Sequence, residues 1–525
     1  MRLTELRLSP ELLPWRDEVG EFLKSEMAPE KVAGHIDPTD LTGLNRDFER
    51  RHQKEAARRG MLAISLPVAD GGQGRSRAWK HVYDLEAAFH GAPSIDTGVT
   101  LCGFALSRFG TRAQKARWLA PMVSGERLGA IAYSEAGAGN NLAAITVTGV
   151  RDSVGWVLSG TKSHVTGAHK ADLAVVLAVT DPKKSARSSM TMFLVPLDAP
   201  GVEVERRPTI NRWTLGEIDL RQVRINDDCV LGEVGEGWSQ VMAAVAAERG
   251  SLAHYGWAEQ WLQRLPAGVA RPERARLHAV ATRVRAFCQR LIDHEESGQP
   301  VGYEASVVKV ASTEFLQDIA RTARSGAGQG ETDWTPTFEE GPSYAYDVLE
   351  AIHPTVSVGA NETHRDMIAA DLLSRGLSDA ASPAATSDDP VLSTCAEQAS
   401  QARRVLALTA QYALQRPLYG KQVGDLQAAR HRFVDMAIAV EAMELTTAEA
   451  ALVPLGPQRD YLVSAAKVTG NECLLEVMAG AHQLHGADGY YDDHYLAPFT
   501  RRAWAVQTQG GSTAEHLEQL ARLTD

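Results

Sequence analysis

Between residues 122 and 236 the chain changes its pattern. Helical spacing gives way to short runs rich in β-branched residues, ITVTGV, GWVLSG, LAVVLAV, TMFLVPL and VEVERR, each closed by Gly, Asp or Pro. Such an island predicts an antiparallel β domain set among helices. Residues 1–121 read as helices joined by short loops and broken at LPVADGGQG, where Gly71, Gly72 and Gly74 interrupt any regular element. Helical periodicity returns at 237–377 and again at 391–525. Between them SDAASPAATSDDP, residues 378–390, reads as a linker because its small residues, Pro and Asp have nothing to bury. The expected fold class is α+β, mainly α: an N-terminal helical domain, a central antiparallel β domain and two helical bundles. A length of 525 residues has room for them at roughly 150 residues per domain.

Charge and cysteine usage narrow the function class. A net charge of −12 argues against broad binding to nucleic acid or an anionic membrane. Five cysteines lie far apart without a CxxC pair, which fits a reducing cytoplasm and offers no zinc site. The first residues alternate apolar and charged side chains instead of forming the apolar core of a signal peptide. No run reaches the ~18 apolar residues of a membrane span. The expectation is a globular cytoplasmic protein.

The two bundles share sequence. Ser306-Val-Val-Lys309-Val-Ala-Ser-Thr-Glu314 matches Ser464-Ala-Ala-Lys467-Val-Thr-Gly-Asn-Glu472, with Ser, Lys, Val and Glu in register. Further on, Val358-Gly359-Ala-Asn-Glu-Thr-His364 and Gly510-Gly511-Ser-Thr-Ala-Glu-His516 each precede an amphipathic helix. This pattern predicts two copies of one helical bundle, the second without a β domain of its own. Lys309 and Lys467 read as structural parts of that repeat.

Two motifs sit inside the β island. Ile131-Ala-Tyr133-Ser134-Glu135-Ala-Gly137-Ala-Gly139-Asn140-Asn141 is a hydroxyl followed by a glycine-rich turn, and Gly160-Thr-Lys-Ser-His164-Val-Thr166 follows in the same domain. Alone the first is weak, lacking the third glycine and βαβ start of a dinucleotide fingerprint. Together they resemble the turn and strand that cradle the flavin of FAD in the acyl-CoA dehydrogenases. LPVADGGQG, Arg416-Pro-Leu-Tyr419-Gly420, Gln427 and Gln483-Leu-His-Gly486-Ala-Asp-Gly489-Tyr490 resemble further motifs of that family, so the likeness covers nearly the whole chain.

What the resemblance implies is an FAD enzyme with an unusual division of its cofactor site. Tyr133, Ser134, His164 and Thr166 match the family's flavin-side positions. Arg416, Tyr419, Gln427, Gln483 and Gly486 match residues that reach the diphosphate and adenosine of a neighbouring subunit's FAD, where a guanidinium suits the dianion. The first bundle has no such arginine motif, and Ser325 stands where the second has Gln483. Residues 391–525 are therefore expected to stand in for the neighbouring subunit. The family's usual base positions hold Val358 and Gly510, whereas Glu248-Arg249, after Val241-Met-Ala-Ala-Val-Ala-Ala, matches the alternative placing of the catalytic Glu. That apolar run predicts a partly desolvated carboxylate with a raised pKa. Asn140 and Arg249 are the substrate-side candidates, although Asn140 and Asn141 replace the family's Ser-Asp, and His164 replaces its ring-stacking Trp or Phe.

Remaining candidates have ordinary readings. His482 and His485 have the i,i+3 spacing of metal ligands but are read as neighbours of the flavin loop, so no metal is expected. The favoured activity is α,β-dehydrogenation of an acyl thioester on CoA or a carrier protein, with an electron-transfer flavoprotein as acceptor. A flavin monooxygenase or oxidase, and a catalytically silent partner subunit, are the alternatives. Two bundles per chain predict a homodimer that imitates a tetramer, with one FAD per chain.

Overall fold

Strands β1 (Gly129–Ala132), β2 (Thr148–Arg151), β3 (Trp156–Thr166), β4 (Leu173–Val179), β5 (Met190–Pro196), β6 (Val202–Pro208), β7 (Thr214–Ile225) and β8 (Val230–Leu231) form one sheet in the order β6-β7-β3-β2-β4-β5-β8, with β1 also on β4. The structure is a computed structural model and describes residues 6–35, 44–93, 96–139, 141–211, 213–248, 250–328, 343–375 and 388–524. β4 and β5 are almost continuously apolar and are buried along their length, so they carry the core of the sheet. β6 lies at an edge and carries Glu203, Glu205, Arg206 and Arg207, charges that discourage pairing with another chain. Five of the strand pairs are antiparallel, as expected, but β1 and one residue of β2 run parallel to β4. Trp156 meets Phe193 edge-on, with ring centroids 5.3 Å apart, inside this core.

The helices before the sheet are α1 (Leu12–Glu26), α2 (Pro29–Val32), α3 (Arg46–Arg58), α4 (Arg77–Phe89), α5 (Gly103–Phe109), α6 (Arg112–Gln114) and α7 (Ala120–Val123). After it come α8 (Gly237–Glu248), α9 (Ala253–Gln263), α10 (Arg271–Glu296), α11 (Glu304–Gly326), α12 (Tyr344–Glu350), α13 (His353–Val356) and α14 (Asn361–Arg375). The last group is α15 (Pro390–Gln415), a small hairpin of β9 (Pro417–Leu418) and β10 (Lys421–Gln422), α16 (Gln427–Leu452), α17 (Pro457–His485), α18 (Leu496–Ala505) and α19 (Thr513–Thr524). Asp389, read as linker, instead caps α15 by accepting from Val391 N and Leu392 N, and Pro390 occupies its first turn. Among the described residues no helix is long and apolar enough to cross a membrane.

Contacts divide the chain into two compact units, one of Leu8–Gly256 and one of Trp257–Asp525 with Met1–Arg7. Within the second unit the two helical halves share a core. Ala275 and Ala279 of α10 pack with Leu392, Tyr461, Leu462 and Leu520, where small side chains permit close approach. Around that core, arginines of the first half meet carboxylates of the second. Arg276 and Arg283 both reach Glu472, at 2.8 and 2.6 Å, and Arg365 reaches Asp435 at 2.8 Å. Arg285 forks onto Glu449, and Arg290 pairs with Glu441.

The sequence match between the halves extends to hydrogen bonds. In the first, Lys309 Nζ donates to Gly359 O (2.9 Å) and Asn361 Oδ1 (2.6 Å), and His364 lies between Ser306 Oγ (3.0 Å) and Val358 O (3.1 Å). In the second, Lys467 Nζ donates to Val506 O (3.3 Å) and Asn471 Oδ1 (2.6 Å), and His516 lies between Ser464 Oγ (3.2 Å) and Gly510 O (2.8 Å). One detail is exchanged. Asn361 Nδ2 donates to Thr313 of the helix, whereas Asn471, on the helix, donates to Thr513; both contacts are 3.1 Å. Burial pulls both ammonium groups down, that of Lys309 to about 8.

This exchange generates a test. Thr313→Asn crowds two amides and Asn361→Thr deprives Lys309 of its amide acceptor, so each alone should cost about 1–3 kcal/mol. Together they rebuild the arrangement of the second half and should recover most of that loss in a double-mutant cycle followed by urea denaturation.

Candidate functional site

Strand β3 carries the flavin-side candidates because its ladder is interrupted. Pairing with β7 shifts register between Lys162 and Val165, and His164 takes a left-handed backbone at φ 58°. A bulge of this kind re-aims side chains. Lys162 and Ser163 are consecutively buried, and His164 and Thr166 then emerge on one exposed face. Ser163 Oγ lies 3.1 Å from His164 Nδ1 and steadies the ring. Left-handed backbone in a residue other than glycine costs about 1–3 kcal/mol and concentrates at functional positions.

The glycine-rich turn is bound to this strand. Ser163 N donates to Ser134 O at 3.0 Å, while Lys162 Nζ donates to Tyr133 O at 3.1 Å and to Glu135 Oε1 at 2.8 Å. Glu135 also accepts from Thr146 N, Thr146 Oγ1 and Val147 N, at 2.6, 2.8 and 3.0 Å. Burial opposes its charge, but these donors and the ammonium hold its carboxyl below the usual range. Burial also pulls the Lys162 ammonium down to about 8, against the attraction of Glu135. The side chain of Tyr133 turns inward, its hydroxyl 3.6 Å from Met192 Sδ, so the residue meets the turn through its carbonyl. Lys162 and Glu135 lie inside the two motifs, yet the sequence reading assigned them nothing; their opposite charges were the available signal.

Helix α8 begins flush on the sheet. A Cβ on Gly237 would lie 2.8 Å from Leu177 Cδ1 and 2.9 Å from the Met190 carbonyl carbon, so glycine lets the helix start there. Glu248 is the last residue of α8, but its side chain lies outside the described residues, as do Asn140 and Arg249.

The phosphate-side candidates gather at one end of the last bundle. Leu418-Tyr419-Gly420-Lys421 turns between β9 and β10 with φ of 49° and 75° at its centre, the two positive values of a type I′ turn. Tyrosine is an unusual occupant of such a turn, and this one is 89% exposed. Half-exposed Arg416 lies 3.5 Å from Asp488, which also accepts from Tyr412 at 3.2 Å. The arginine turn is thereby joined to the loop after α17, where Gly486 is exposed, as is Gln483 in the last turn of that helix. His485 stacks on Tyr412 at 4.2 Å, donates from Nδ1 to Ala481 O at 2.8 Å and meets Tyr495 Oη through Nε2. His482 meets Thr500 Oγ1 at 2.7 Å, and no metal-binding cluster occurs among the described residues. Gln427 starts α16 and donates to Asp366 Oδ2 at 3.0 Å, in the first half.

These residues fit the two ends of FAD in kind. An exposed imidazole and hydroxyl on a strand suit a flavin ring. A half-exposed guanidinium beside a glycine whose Cβ would meet nothing within 4 Å suits a diphosphate.

Comparison with known proteins matches three family models. They are the N-terminal domain of acyl-CoA dehydrogenase over residues 9–126, its middle domain over 130–226 and its C-terminal domain over 392–524. Acyl-CoA dehydrogenase FadE34 of Mycobacterium tuberculosis is 32% identical over 286 residues, 52% of this chain but only 40% of that protein's length. The mitochondrial short-chain specific acyl-CoA dehydrogenase of Bos taurus is 26% identical over 383 residues, 68% of this chain and 89% of its own. A Bacillus anthracis acyl-CoA dehydrogenase crystallised with FAD shares the fold over 100% of this chain and 96% of its own, with TM-score 0.78 and 17% identity.

Arg416→Ala should weaken FAD binding by about 1.5–3 kcal/mol, the contribution of one charged hydrogen bond. Asp488→Asn, which removes the carboxylate competing for that guanidinium, should strengthen it. Flavin fluorescence titration of both variants reads the two opposite signs.

Proposed function

Because the chain belongs to the acyl-CoA dehydrogenase family, whose cofactor is FAD, we propose that it oxidises an acyl thioester between its α and β carbons. The observation that carries this reading is the exposed pair His164 and Thr166 beside the Ser134 turn, at the family's flavin-side positions. FAD, when bound, supplies the acceptor for the β-hydrogen and its two electrons.

Thr166 then offers its hydroxyl to the flavin near N5, and His164 lays its ring against the flavin in place of a larger aromatic. Ser134 and the backbone of Tyr133 close the cradle. Arg416, Tyr419, Gln427, Gln483 and Gly486 hold the diphosphate and adenosine, with the second helical half standing in for a neighbouring subunit. The matched Ser, Lys and His contacts of the two halves support a duplicated bundle as the origin of that arrangement.

Glu248 takes the α-proton. Its place at the end of an apolar helix seated on β4 and β5 suits a carboxylate poised to bind a proton. Asn140 and Arg249 are assigned to the acyl thioester, on CoA or a carrier protein, and an electron-transfer flavoprotein collects the electrons. The enzyme works in the cytoplasm as a homodimer with one FAD per chain.

Glu248→Gln should keep FAD and lose at least 10²-fold in thioester-dependent flavin bleaching under anaerobic conditions; bleaching at the wild-type rate would remove Glu248 from this role. Light scattering combined with flavin absorbance should give two chains and two flavins per particle, and four chains would contradict the dimer.

A further inference from the structure

The ion pair of Lys162 and Glu135 takes no part in the proton and hydride transfers above, and its burial makes it a poor stability device. Lys162 is wholly buried and Glu135 nearly so. Taking two charges out of water commonly costs as much as their attraction returns. Burial lowers the lysine's pKa in the same sense, while its donors hold the Glu135 carboxyl down, so the pair gives no clear gain in stability. A pair kept under those terms needs another role.

Its position supplies one. The β3–β7 ladder is broken between Lys162 and Val165, so regular strand pairing does not set the place of Ser163 and His164. At that break the chain is anchored to the glycine-rich turn instead, through Lys162 to Tyr133 O and Glu135, and through Ser163 N to Ser134 O. Glu135 is itself fixed by three donors from residues 146 and 147, leading into β2. His164, next along, holds a left-handed backbone that persists only where its surroundings over-determine it.

We infer that Lys162 and Glu135 are positioning residues for the flavin: they set the spacing between the turn at 133–135 and the bulged end of β3, and so the orientation of His164 and Thr166. The inference rests on the FAD-binding reading above. Neither residue touches the cofactor in this assignment.

The double variant Lys162→Met/Glu135→Gln removes both charges while the glutamine carbonyl still accepts from Thr146 N and Thr146 Oγ1, the two donors that share one oxygen of Glu135. It should melt within about 3 °C of the wild type, yet bind FAD at least 10-fold more weakly, with a shifted visible band for the flavin that remains. An unchanged FAD affinity overturns the inference, and so does a loss of affinity that only accompanies a large fall in melting temperature. Should the double variant not fold, Thr146→Val, which removes a single donor to Glu135 and keeps the shape, should raise the FAD dissociation constant about threefold at unchanged melting temperature; no change would overturn the inference. A wild-type protein that binds no FAD would instead defeat the underlying reading, whereas a wild type that binds it beside equally competent variants would defeat only the positioning role.

Discussion

Guanidinium–carboxylate pairing between its two helical halves is the interaction on which the unit from Trp257 to Asp525 depends. The arginines at 276, 283, 285, 290 and 365 belong to the first half, and Asp435, Glu441, Glu449 and Glu472 to the second. The polarity of the seam is mostly one-sided, with Arg430 of the second half against Asp366 of the first as the reverse case. Most of its charges would therefore face like charge if either half met a second copy of itself through the same face. Planar forks such as Arg285–Glu449 add a geometric requirement that a lysine would relax. The shared apolar core of Ala275, Ala279 and Tyr461 gives the halves a reason to associate. The ion pairs select one way of doing so, which is the use of buried charge best supported by its energetics.

The candidate cofactor residues occupy backbone that is costly to maintain. Among the described residues, His164, Gln222, Val358 and Tyr419 are the non-glycine residues with positive φ, and two of these four are positions the sequence assigns to FAD. His164 is held by its bulge, and Tyr419 by a two-residue hairpin turn. In each case an aromatic side chain is presented outward where a flat ligand is expected. Val358 is clamped as firmly: His364 binds its carbonyl and Lys309 that of Gly359.

Much of the fold was legible because its signals are local. β-branched runs marked β2 to β6, and the shared Ser, Lys, Val and Glu spacing pointed to Lys309 and Lys467 as structural residues, both of which are buried. The parallel joints of β1 and β2 to β4 were not legible, since parallel pairing brings together segments whose alternation looks the same in either direction. The role of Lys162 escaped for a related reason. Strand alternation places it on one face or the other, but the bulge that buries both Lys162 and Ser163 depends on β7, more than 50 residues away. Asp389-Pro390 was legible in principle as a cap and first helical turn, and was obscured by the small-residue stretch before it.

The exchanged asparagine and threonine bear on how such a chain finds its own partners. Two segments this similar, synthesised on one polypeptide, compete for each other's contacts during folding. If α11 took the segment ending in His516, Thr313 would meet Thr513 and Lys309 would find no amide oxygen at either position. If α17 took the segment ending in His364, Asn471 would meet Asn361, with two amides where one fits. Each wrong match therefore loses the buried lysine's acceptor or overfills its site, while each right match has one amide and one hydroxyl. Swapping two side chains across a single hydrogen bond gives two similar segments a means to discriminate self from sibling within the same molecule.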